Sequence, residues 1–172
     1  SEVPKAQDRL VSVDRFQEQA PNPRNILQVY AGTWVSIDPD KALGENQKGD
    51  LQLLREDYRI VWAMEQLKSV AGFRILELGP LEGRQTYSLC RHQAKEVVAV
   101  EGNADCFQRL LAFKAALNIA CMTPLLGNFL PYLDEAETDS FDLVFASGVL
   151  YHLPDPLAAL TQMIRVAPRL YL

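Results

Sequence analysis

Arg74-Ile75-Leu76-Glu77-Leu78 runs directly into Gly79-Pro80-Leu81-Glu82-Gly83. The first five residues are short of turn formers and rich in branched apolar side chains, which reads as a buried strand. Gly79 permits a tight turn and a close approach by a ligand, and Gly83 lets the following helix, over residues 82–90, pack near the loop. The same alternation continues downstream. Residues 96–101 (Glu-Val-Val-Ala-Val-Glu) read as a second buried strand. Residues 104–117 read as a helix with Phe107, Leu110, Leu111 and Ala115 on one face. A third strand over 122–126, a turn or two of helix over 129–136 and a fourth strand over 141–146 follow. A helix over 154–166 opens with Asp155 and Pro156, and residues 169–172 begin a fifth strand. Upstream, Asp50 serves as N-cap of an amphipathic helix reaching residue 70, with Leu51, Leu54, Tyr58, Val61, Trp62 and Leu67 at helical spacing.

Strands that are apolar on both faces and alternate with helices imply an α/β fold, a parallel sheet covered on both sides and joined by right-handed crossovers. Residues 1–50 differ. They hold Pro4, Pro21, Pro23, Pro39, Gly32, Gly44 and Gly49 and little periodicity. They read as an N-terminal arm or lid with a short helix at 11–18, an extended or mixed segment at 25–37 and a polar loop at 41–50. Residues 51–172 form the ligand-binding core.

The chain has 172 residues, 48% hydrophobic and 23% charged, which suits one globular domain and excludes wholesale disorder. A net charge of −5 argues against non-specific nucleic-acid binding, leaving room for a local basic patch. No apolar run reaches the ~18–20 residues of a bilayer span, and the first residues lack a signal-peptide core, so a cytoplasmic address is expected. Cys90, Cys106 and Cys121 lack metal-site spacing and read as buried free thiols; no metal is expected.

In such sheets the ligand lies outside the carboxyl ends of the strands, near the switch point in strand order. After the first strand, Glu77, Gly79, Pro80 and Gly83 frame a turn that misses the dinucleotide pattern G-x-G-x-x-G: Leu81 takes its second glycine, Arg84 its third, and Pro80 removes an amide. This counts against a nicotinamide-dependent oxidoreductase and suits a ligand with a single carboxylate. A structural turn is the plainer alternative. After the second strand, Glu101-Gly102-Asn103 places a carboxylate 22 positions beyond Gly79, suited to two ribose hydroxyls or else simply solvated. After the third, Asn128 and Phe129 suit the edge and face of an adenine, or a plain turn. After the fourth, Ser147 and Gly148 face the reacting end, with Tyr151 and His152 as candidate bases or as structural residues.

With these residues in place, the chain resembles the class I S-adenosylmethionine-dependent methyltransferases. Residues 77–83 look like their glycine motif, Glu101 like the acidic residue closing their second strand, Asn128 like their adenine-side polar residue, and residues 141–152 like their fourth-strand motif. The run Gly148-Val149-Leu150-Tyr151-His152, with Trp62 about a dozen residues before the first strand, is similar to the branch of tRNA wobble-uridine carboxymethyl transferases. Leu81 replaces a glycine of the family motif, and Val61 stands where that branch has a lysine. The resemblance implies a Rossmann-like, mostly parallel sheet, S-adenosylmethionine as cofactor with S-adenosylhomocysteine as product, and methyl transfer to a small-molecule or RNA acceptor. A relative of the tRNA enzymes, or an inactive module keeping the fold, are the alternatives. It also implies a seven-stranded sheet, so a chain truncated near its fifth strand is expected.

Overall fold

The computed structural model describes residues 17–37 and 56–172. The proposed N-cap Asp50, the loop at 41–50 and nearly all of the helix at 11–18 lie outside them. Helix α1 (Asn25–Gln28) is followed by α2 (Tyr58–Leu67), β1 (Arg74–Leu78), α3 (Arg84–Arg91), β2 (Glu96–Glu101), α4 (Ala104–Leu117) and β3 (Met122–Leu126). Then come α5 (Phe129–Glu135), β4 (Leu143–Phe145), a 3-10 turn (Leu150–His152), α6 (Pro156–Val166) and β5 (Leu170–Tyr171). The five strands form one sheet in the order β3-β2-β1-β4-β5, every pairing parallel. The order reverses between β1 and β4. A crevice therefore opens at their carboxyl ends, where the flanking chain leaves to opposite sides.

Strand propensity and burial agree. Ile75, Leu76, Leu78, Val97, Val98, Val100, Leu143 and Val144 are all buried, with helices packed on both faces. Each such side chain contributes roughly 1.5–3 kcal/mol by leaving water. The register is pinned at the amino ends of the strands by polar contacts. Arg74 Nε donates to Glu96 Oε2 at 2.8 Å, Thr123 Oγ1 donates to Glu96 Oε1 at 2.9 Å, and Arg74 N donates to Asp142 Oδ2 at 2.8 Å. These contacts tie β1 to β2, β3 and the entry to β4, and leave the opposite ends for a ligand.

Several expectations are corrected. In α2 the buried face is Ile60 and Ala63, with Met64 and Leu67 partly buried behind them. Tyr58, Val61 and Trp62 face outward instead; Trp62 is 55% exposed and meets the Tyr171 ring edge-on at 5.7 Å. Two apolar stripes compete on this helix, and the one reaching Val97 and Phe145 wins because the sheet lies on that side. In α4 the buried set is Cys106, Leu110, Ala112, Phe113 and Ala116, while Leu111 and Ala115 are exposed. Residues 25–37 are not extended: α1 and successive turns bring Leu27 and Ile37 onto α4, beside Leu110 and Phe113. Cys90 and Cys121 are not free thiols. They are joined across a Cα–Cα distance of 5.9 Å, tying the end of α3 to the residue before β3; Cys106 is free and buried. No helix among the described residues is long and apolar enough to cross a membrane.

Candidate active site

Glu77, the penultimate residue of β1, lies beneath the crevice and is 1% exposed. Neither of its carboxylate oxygens has a hydrogen-bond partner. Burial pushes its pKa up to about 8; the nearby Thr86 hydroxyl pulls the other way, and the Glu101 charge adds to the rise. An unsatisfied buried carboxyl is costly, and such orphans concentrate where a ligand completes the network.

The turn after β1 is held in a fixed path. Gly79 N donates to Val100 O at 3.0 Å, and Gly83 N donates to Pro80 O at 3.0 Å. Gly83 has φ +89°, and a Cβ there would stand 2.4 Å from Leu110 Cδ1. Only glycine lets the start of α3 lie this close to α4. Leu81 occupies the left-handed region at φ 53°, the conformation a glycine would supply, so the turn keeps its shape without one.

Glu101 closes β2 at 5% exposure. Its Oε2 accepts from Leu81 N at 2.8 Å and its Oε1 from Asn103 N at 2.8 Å. Two amides thus orient the carboxylate, and each oxygen keeps a lone pair for a hydroxyl donor. Asn103 itself caps α4, accepting from Asp105 N and Cys106 N. Gly127 N donates to Glu101 O at 2.9 Å, which sets Gly102 beside the end of β3. Asn128 caps α5 through Oδ1, accepting from Leu130 N at 2.9 Å, and is exposed; its amide group is left to face solvent or a ligand. Phe129 is half-buried behind it against the core.

On the other side of the switch point, Ser147 is half-buried and Gly148 exposed, with φ +79° and the Tyr151 hydroxyl 3.4 Å from where a Cβ would stand. Tyr151 is 78% exposed and its ring lies 4.2 Å from that of His152, also exposed. The structure therefore gathers Glu77, Gly79, Pro80, Gly83, Glu101, Gly102 and Asn103 around one turn, sets Asn128 and Phe129 at the adjoining strand end, and puts Ser147, Gly148, Tyr151 and His152 across the crevice.

Two residues escaped the sequence reading. Asp57 caps α2 and is bound by Arg59 through Nη2 at 2.7 Å and Nε at 3.0 Å. Burial would raise the Asp57 carboxyl, but the Arg59 bonds and the charges of Arg59 and Arg84 outweigh it and hold the pKa below its usual value. Arg59 Nη1 also reaches Ser147 Oγ at 3.4 Å, bridging α2 to the end of β4. With Tyr58, Trp62 and Arg84 these residues line an open cleft of about 700 Å³. No local pattern marks them, because the packed sheet decides which apolar stripe of α2 faces solvent.

A family model described as a methyltransferase domain matches residues 76–169. The tRNA U34 carboxymethyltransferase of Dichelobacter nodosus is 32% identical over 144 residues, covering 77% of this chain and 44% of that protein. The chain thus spans less than half the length of this curated relative. Among solved structures, the N-terminal domain of EvdMO1 with SAH bound superposes at TM-score 0.60 with 23% identity, covering 84% of this chain and 60% of that one. An S-adenosylmethionine-dependent methyltransferase from Mesorhizobium loti gives TM-score 0.53 with 23% identity, covering 66% and 49%. At these identities the structures speak for a shared fold.

Proposed function

The chain belongs to the methyltransferase-domain family, and we propose that it binds S-adenosylmethionine in the crevice between β1 and β4 and serves methyl transfer to an acceptor yet to be identified. The observation that carries this reading is the orphaned, buried carboxyl of Glu77 at the switch point. It fits a cationic α-amino group, which would supply the missing donors and favour the ionised form. Glu101, fixed by Leu81 N and Asn103 N, would take the ribose hydroxyls. Asn128 and Phe129 would meet the adenine, and Pro80, Gly79, Gly83 and Gly102 keep the backbone close to the ligand. The cofactor supplies an already activated methyl group, so the protein's share is orientation and exclusion of water. Ser147 and Gly148 border the place of transfer, with Tyr151 and His152 as the groups able to accept a proton from a poorly nucleophilic acceptor.

A second reading, carboxymethyl transfer to tRNA, is supported by the curated likeness over 144 residues. Isothermal titration with S-adenosylhomocysteine tests the main reading. Wild-type protein is expected to bind, and Glu101→Ala to bind at least about tenfold more weakly, the loss of hydrogen bonds to a charged group. Folded wild-type protein giving no heat would overturn it.

A further inference from the structure

Glu82, the residue before Gly83, is 0% exposed, and burying a charge is tolerable only when it is fully hydrogen-bonded. Its donors come from two places. Arg109 Nε of α4 donates to Oε1 at 2.8 Å. The rest come from a segment 45–47 residues earlier in the chain. Val35 N donates to Oε1 at 2.8 Å, Ser36 N and Ser36 Oγ donate to Oε2 at 2.8 and 2.9 Å, and Ile37 N donates to Oε2 at 3.3 Å. Consecutive backbone amides converging on one anion form a nest, here built by the N-terminal segment around a side chain of the glycine turn. Apolar packing flanks the contact, with Leu27 and Ile37 buried and Trp34 partly buried against α4, but Val35 at its centre is 75% exposed and contributes its amide rather than its side chain.

On its other side Glu82 adjoins Leu81, whose N–H orients Glu101. The turn is therefore fastened at one end to the N-terminal segment and at the other to the residue read as the ribose ligand. We propose that Glu82 is a positioning residue that latches residues 35–37 onto the glycine turn, so that the nucleoside half of the cofactor site is built only when that segment is docked. The N-terminal segment is on this view a working part of the cofactor site. The inference rests on the proposed role of Glu101.

The test pairs amide hydrogen exchange with titration of S-adenosylhomocysteine, on wild-type protein and Glu82→Gln. The glutamine keeps the size but loses the charge and one acceptor. Expected are amides 35–37 exchanging at least about tenfold faster, affinity weakened at least about tenfold, and unchanged protection in β1 and β2, consistent with removing a charge-assisted hydrogen bond. Faster exchange at 35–37 with affinity within about twofold of wild type would make Glu82 a merely structural clamp and overturn the proposal, as would unchanged exchange. Should Glu82→Gln fail to fold, Ser36→Ala decides in its place. Loss of the hydroxyl donor must then speed exchange at 35–37 and weaken binding about threefold, and no change in both overturns the latch. Wild-type protein that takes up no S-adenosylhomocysteine removes the cofactor reading and this inference with it. Binding wild type with an unaffected variant removes this inference alone.

Discussion

Glu77 carries a pH dependence that runs opposite to that of most carboxylates. Its pKa is raised in the folded protein to about 8 from an ordinary value of 4.5, chiefly by burial. A raised folded pKa means that the folded state holds a proton which the unfolded state has released. The favourable contribution is whole below pH 4.5 and is lost as the pH climbs through 8. Without ligand, the protein should therefore lose roughly 3 kcal/mol from this one group between pH 4.5 and 7. Glu77→Gln, which has no proton to lose, should flatten that part of the profile in urea titrations across the range; an unchanged slope would place the titrating group elsewhere. An amino cation arriving beside Glu77 has the reverse effect and expels the proton. Calorimetry of S-adenosylhomocysteine binding at pH 7, in buffers of different ionisation enthalpy, should show net proton release by wild type and less by Glu77→Gln. Equal proton release by both would separate Glu77 from the ligand's amino group.

The turn between β1 and α3 works as an element because of where its glycines fall. Gly83 combines φ +89° with a Cβ position 2.4 Å from Leu110 Cδ1, inside a fully packed cluster. Gly83→Ala meets both a left-handed backbone and overpacking, together about 2–4 kcal/mol of lost stability. Chemical denaturation should show this as a lower midpoint at unchanged slope, and a midpoint equal to wild type would mean that α3 can retreat from α4 without cost. The strands and most helix boundaries were legible because buried parallel strands are runs of branched apolar residues, as in residues 97–100, and because a start such as Asp155-Pro156 announces a helix. The strand-end order of the candidate site was legible for the same reason, since topology alone sets Glu77, Glu101, Asn128 and Ser147 at one edge. What local pattern could not give was choice between faces and partners far apart in sequence. Two apolar stripes on α2 look alike until the sheet is present. Neither the nest around Glu82 nor the Arg59 bridge to Ser147 leaves a periodic trace, because their partners lie 45–47 and 88 residues apart.

Across the whole molecule the two ends of the sheet do different work. The carboxyl ends hold an orphaned carboxyl, an open cleft and turns shaped by glycine. The amino ends are tied by Arg74, Glu96, Thr123 and Asp142, and by the bridge from Cys90 to Cys121 just before β3. That bridge closes a loop of 31 residues containing β2 and α4. By the chain-entropy account, closing such a loop stabilises the fold by about 3–4 kcal/mol. In a protein of this size that corresponds to about 10 °C in Tm. Because the bridge lies at the end of the sheet away from Glu77 and Glu101, opening it should lower stability and leave ligand affinity alone. Oxidised protein denatured with a thiol-reactive reagent should show one reactive cysteine, Cys106, and three after reduction. The reduced protein should melt about 10 °C lower while binding S-adenosylhomocysteine within about twofold of the oxidised form. Three reactive thiols in the air-oxidised protein would remove the bridge, and a parallel loss of affinity on reduction would show that the two ends of the sheet are coupled after all.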